Sequence, residues 1–409
     1  MYKKIIIFLF IGTFFLSGCF EDDKSNDAKR DYSFDTQISE QVLNSYLSRA
    51  VSHQVLFTDN DEELLIDDIR MFGSIGAKFI GRASIIWQTP DDLELFFSTA
   101  KSIASQVHEM DSDIIMQAGL FEIVDEGVNQ IAIPDWVFEE FNLSAQNRNY
   151  NYQEMLYENQ EFVDFYGSGA SIPDISRLET RLWYFHRAKL YIDAGYEAIH
   201  FGIADVISVG DLEHEYFLDL LERIRKYAKN NARRHLVLCD VHHKTGWVKD
   251  GKTMFDFLSY PLRIEESANE PFFAELKKEG EDVIYDKPLG GLTPSGWSVD
   301  SLPYLVEFDN WGSSGNGGEN IGGIWIWGWD EISWFARLSE ENRNNWLEYA
   351  FGWIKENTTN GHLQFPTRRI LADPIDERYY WYFANTPSES CENGLYQEGR
   401  IKKIWEANP

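Results

Sequence analysis

Residues 196–242 decide the fold. They open with Tyr196–Ile207, YEAIHFGIADVI, run through a helical stretch at Leu212–Asn231, and close with His235–His242, HLVLCDVH. Both outer runs are almost continuously apolar where a half-exposed strand would alternate, the pattern of parallel strands covered on both faces. The helix between them ends in Arg223, Arg225, Lys226 and Lys229, which suits the negative end of its dipole. Strand, helix, strand is the βαβ unit of an α/β protein.

The same alternation extends outward. Asp61–Gly73 reads as a helix and Ala77–Gln88 as a strand. Thr89-Pro90-Asp91 opens a helix to about Met110, and Asp113–Val124 is a second strand. Ile131–Tyr166 is acidic and aromatic and reads as an insertion with short helices. Arg177–Ala194 is a helix closed by Gly195. Downstream, Pro303–Asn310 and Ile321–Asp330 read as strands and Ser339–Glu356 as a helix. Asn269–Gly280 reads as helical, and Phe255–Ile264 and Asp282–Tyr285 as weaker strands. Six clear strands and two weaker ones make the eight that a (β/α)8 TIM-type barrel needs; an open doubly wound sheet is the alternative. No glycine-rich phosphate loop follows an early strand, which disfavours nucleotide binding. The expected organisation is a barrel over residues 41–375, with the helical and aromatic insertion after the second strand. A C-terminal tail, 376–409, packs on it.

Composition narrows the partners. The 409 residues are 44% hydrophobic and 25% charged, ordinary for a globular chain, so extended disorder and a polytopic membrane protein are both excluded. A net charge of −30 disfavours nucleic acid and anionic surfaces as partners. Aromatic residues reach 15%, and eleven of the fourteen tryptophans lie from Trp247 onward, an excess that a core alone does not require. Of the three cysteines, Cys239 reads as a buried thiol; no CxxC spacing suggests a zinc site.

Reactive groups in parallel α/β folds sit at the carboxyl ends of strands. Here five predicted strands finish in a carboxylate: Glu122, Asp205, Asp240, Glu307 and Asp330. Each alone is an ordinary cap or turn residue. Together on one rim they would form an acidic hollow, where mutual repulsion separates the pKa values of an acid and a base. That is what glycoside hydrolysis requires. Asp240 is the candidate acid/base and Glu307 the candidate nucleophile. Glu122, His200, Asp205, His242, Asp309 and Asp330 are candidate substrate-binding groups. Trp311 and Trp329 are candidate platforms for sugar rings, with Trp327 beside them. No cofactor is expected. A metal site drawn from the same acids and histidines is an alternative, although HxH and HExxH spacings are absent.

Two resemblances add to this. Strand-end carboxylates with tryptophans on the closing strands resemble the retaining (β/α)8 glycoside hydrolases of clan A. That resemblance implies an acid/base after the fourth strand, the place of Asp240, and a nucleophile after the seventh, the place of Glu307; Trp327 matches an aromatic on the eighth. The family carries Asn-Glu where this chain has Cys239-Asp240, and Asp is the shorter acid. At the N-terminus, Lys3-Lys4, the apolar run Ile5–Leu16 and Leu16-Ser17-Gly18-Cys19 resemble a bacterial lipoprotein signal with its lipobox. This implies removal of residues 1–18 and acylation of Cys19, palmitate included. Residues 19–40 would be a tether on a lipid bilayer, and the site the outer membrane of a bacterial cell envelope. The acidic run Glu21–Asp27 resembles a surface-export signal of Bacteroidetes lipoproteins. Carbohydrate is then the expected substrate, with a non-catalytic glycan-binding lipoprotein as the alternative.

Overall fold

The computed structural model describes residues 30–56, 61–267, 270–310, 319–321, 324–326, 330–372 and 380–409, with the backbone alone at 266, 267, 270–272, 319–321 and 324–326. Within these the chain is a mixed α/β structure with parallel sheet. Its parallel strands are β1 (Ala50–His53), β2 (Phe79–Ile85), β3 (Ile115–Gly119), β4 (Ala198–His200), β5 (Leu238–Asp240), β6 (Leu258–Pro261), β7 (Tyr304–Glu307), β8 (Gly361–Leu363) and β9 (Phe365–Ile370). β9, β1, β2, β3, β4 and β5 pair in that order. β6, β7 and β8 form a second ladder. A parallel bridge from His242 to Ser259 links β5 to β6, and β8 continues through Gln364 into β9. An antiparallel β10 (Trp381–Phe383) extends the edge beyond β9, so the C-terminal segment joins the sheet.

Local chemistry sets the helices. Asp61 caps α1 (Glu62–Ile75) by accepting from Leu64 N, and Gly76 ends it in the left-handed region. Asp92 caps α2 (Leu93–Met110) in the same way, and Ser339 caps α3 (Glu340–Asn357). Phe72, Ile103 and Val107 bury their side chains in the apolar core.

Side chains of the parallel strands alternate, and one face carries successive layers. The first is apolar: Ala50, Phe79, Ile115, Ala198, Leu238, Phe257 and Leu305 pack together with Val42, Leu43, Tyr46 and Leu47 from the N-terminal helix Glu40–Leu47. Two residues further along, Gly81 of β2 aside, the layer turns polar: Ser52, Gln117, His200, Asp240, Ser259 and Glu307 are all buried. Two further still stand His242 and Asp309.

Several expectations need correction. Ala50–His53 is a strand ahead of all those anticipated, so Asp240 ends the fifth strand rather than the fourth, and the insertion follows the third. The last parallel strands are β8 and β9, Gly361–Leu363 and Phe365–Ile370, not residues 321–330. The latter region holds a short antiparallel pairing of Glu319–Ile321 with Ile324–Ile326. Asn269–Gly280 contributes to an antiparallel pair, Glu265–Ser267 with Glu270–Glu275, instead of a helix. Asp282–Tyr285 lies in no strand. The insertion does carry short helices, at Glu126–Gln130, Asp135–Glu140 and Tyr152–Met155. No helix among the described residues is long and apolar enough to cross a membrane.

Candidate functional site

The polar layers form one continuous network. Asp240 is fully buried and accepts three hydrogen bonds, from Gln117 Nε2 (2.7 Å), His200 Nδ1 (2.8 Å) and Ser259 Oγ (2.8 Å). His200 is buried too, and burial, outweighing the pull of Asp240, lowers its pKa, so the ring is neutral. With Nδ1–H directed at Asp240, its Nε2 carries the lone pair and has no hydrogen-bond partner. The His200 and His242 rings meet edge to face at 4.8 Å.

His242 leads to Glu307. Its Nε2 lies 3.0 Å from Glu307 Oε1 and 2.8 Å from Arg82 Nη2, which also pairs with Glu307 Oε1. Glu307 Oε2 takes Ser52 Oγ at 3.1 Å and Arg369 Nη1 at 2.5 Å. Burial pushes the Glu307 carboxyl up, but Arg82, Arg369 and His242 together hold it well below the ordinary carboxylate range. Asp309, one layer outward and partly exposed, is opposed by burial and lowered by His242, Arg82 and Arg369. Arg369 Nη2 reaches it at 3.2 Å.

A bulge aims Arg82 into this layer. The β2–β3 register shifts between Ile80 and Ser84, and Arg82 adopts a left-handed φ of 60° while its N–H donates to Gln117 Oε1. A non-glycine residue in that region carries backbone strain of about 1–2 kcal/mol.

The other candidates divide. Glu122, after β3, is buried and accepts from Tyr166 Oη at 3.1 Å and Ile203 N at 3.0 Å. Asp205 follows β4 but points outward, 3.3 Å from His243 Nε2 and clear of the network. Asp330 caps the helix Glu331–Arg337, its carboxylate accepting from Ser333 N, Ser333 Oγ and Ala372 N. Trp311, Trp327, Trp329 and Cys19 lie outside the described residues. Among the described residues no group of three or more His, Cys, Asp or Glu could hold a metal ion.

Three residues of this region were not singled out in the sequence: Arg82, Arg369 and Trp87. Trp87, two residues after β2, is 41% exposed and stacks on Phe121 with centroids 4.8 Å apart. Its place at the end of the predicted strand Ala77–Gln88 was the available signal.

Comparisons with known proteins give little beyond this. No family model and no curated protein matches the chain. Among solved structures, it is similar to the α-amylase of Geobacillus thermoleovorans complexed with acarbose, at 11% identity, 88% of this chain, 78% of that one and a TM-score of 0.43. It is also similar to an isomalto-dextranase of Arthrobacter globiformis complexed with panose (8%, 89% and 57%, TM-score 0.39). A third is the debranching enzyme of Nostoc punctiforme (11%, 56% and 53%, TM-score 0.33), of whose length the chain spans about half.

Proposed function

We propose that the chain is a glycoside hydrolase on a (β/α)8 barrel, held at a bacterial membrane through acylated Cys19. The barrel is supported by the two parallel ladders, β9-β1-β2-β3-β4-β5 and β6-β7-β8, which the bridge from His242 to Ser259 and the run of β8 into β9 bring together. The observation that carries the function is convergence. His200, Asp240, His242, Glu307 and Asp309 come from three strands and their ends onto one network, and Glu122 and an exposed indole border it.

Cleaving a glycosidic bond needs one carboxylate that stays ionised and one group that moves a proton. Glu307 suits the first role, because two guanidinium groups keep it charged. Asp240 takes the second, with His200 Nδ1 hydrogen-bonded to its carboxylate at 2.8 Å. His242 and Asp309, in the outer layer, would hold sugar hydroxyls.

A non-catalytic glycan-binding role is the second reading. Its support is that Glu307 already has four partners and Asp240 three, so both carboxylates are held by the protein's own groups. Product release from a panel of oligosaccharides distinguishes the two. Cleavage by the native chain that is lost in Glu307→Gln and Asp240→Asn supports the hydrolase. Unchanged turnover in either variant removes that residue from its role. Binding without product at any pH favours the second reading.

A further inference from the structure

Trp87 is the outermost member of a ring ladder that descends to the network. One indole face covers Phe121 at an interplanar angle of 21°. Phe121 meets the His200 ring at 5.3 Å and lies under the Arg82 guanidinium, 5.4 Å from its centroid. The loop after Trp87 is pinned: Thr89 N and Oγ1 both donate to Asp125 Oδ2, at 2.7 and 2.8 Å, while Gly127 N holds Oδ1. The indole is therefore exposed yet set on a fixed base.

A carboxylate stands beside the backing Phe121 ring. Phe121 Cδ1 and Glu122 Oε2 both crowd the place where a Cβ would stand on Gly202, whose φ of 63° and missing side chain admit them. Tyr166, 39% exposed, donates to Glu122 Oε1. Burial and Glu122 push the Tyr166 phenol well above its ordinary range, so it remains a donor. Two oxygens with two partners leave Glu122 capacity for further hydrogen bonds.

We infer that Trp87, with Glu122 and Tyr166, forms a subsite for a neutral pyranose ring at the mouth of the network. A pyranose offers an apolar C–H face for the indole and equatorial hydroxyls for an acceptor beside it. An anionic ligand would meet Glu122 unfavourably, and a purely apolar one would leave it unpaired. The inference rests on the carbohydrate reading and adds where the outer sugar sits.

The test uses the full chain, a glycan array, and fluorescence titration with gluco-, xylo-, manno- and galacto-oligosaccharides. The native protein should bind at least one, with a change in tryptophan emission. Trp87→Ala should weaken that binding roughly three- to tenfold, the size of one aromatic stacking contact, and Trp87→Phe should restore most of it. Thermal unfolding of Trp87→Ala should stay within about 3 °C of the native protein, the cost of the lost stacking on Phe121. Unchanged affinity in Trp87→Ala overturns the subsite while leaving the carbohydrate reading intact. Failure of the native protein to bind or cleave any glycan on the array overturns both.

Discussion

Replacing Glu307 with Gln tests the centre of the molecule by a measurement that needs no substrate. The carboxylate neutralises Arg82 and Arg369 in a layer where all three side chains are almost wholly buried. Gln keeps the volume, but it is neutral and presents an amide N–H₂ where one of these partners needs an acceptor. Breaking a buried ion pair by removing one partner costs about 3–5 kcal/mol, because the remaining charge is left uncompensated. A long chain loses roughly 2 °C of Tm per kcal/mol, so calorimetry should show a fall of about 6–10 °C. The dependence on pH follows from sign. The folded pKa of Glu307 is depressed, so its stabilisation is complete above the ordinary carboxylate range and is lost only as acid reaches the folded value. The difference between native and variant proteins should therefore be constant from about pH 5.5 to 8 and shrink in stronger acid. Adding Arg369→Met to the variant should restore part of the loss, since one stranded cation is removed. A Tm within about 1 °C of the native value at neutral pH would refute the ion-pair account.

Other expectations are narrower. Burial raises Glu331 to about 8, so it holds a proton that the unfolded chain releases; native stability should fall as pH rises from about 4.5 toward 8, and Glu331→Gln should flatten that slope in pH-dependent melts. Gly202→Ala would place a Cβ against Glu122 Oε2 at a left-handed φ, so it should destabilise the protein by more than about 1 kcal/mol in denaturant titration, with Gly202→Ser no better. Cys19→Ala should move the expressed protein from the detergent phase to the aqueous phase and abolish labelling by a palmitate analogue; persistence of the label in the variant would reject acylation at this residue.

Legibility followed the range of the interaction. Helix starts at Asp61 and Ser339 could be read because a cap is made with a backbone N–H three residues away, whereas the helix expected to open at Thr89–Asp91 starts later, after its cap Asp92. The strands at 79–85, 115–119, 198–200, 238–240 and 304–307 fell within apolar runs that burial demands. Ala50–His53 did not stand out, being four residues long with Ser and His at its end. Residues 321–330 looked like a barrel strand because Ile and Trp satisfy the same hydrophobic criterion in an antiparallel pairing. Asp330 matched the rim pattern but serves its own helix, as an Asp before a helix commonly does.

By itself the sequence determined the alternation of strands and helices, the caps, and the two-residue spacing that puts acids and histidines beyond an apolar layer, since all of these depend on neighbours a few residues apart. Only the tertiary structure decided that FPTRRI is a buried strand. A guanidinium enters an interior when a carboxylate waits there, and the one that receives Arg369 and Arg82 is Glu307, 62 and 225 residues away along the chain. Arg368, next in line, turns to the opposite face, 3.9 Å from Asp68, and that division appears only once β9 has neighbours on both sides.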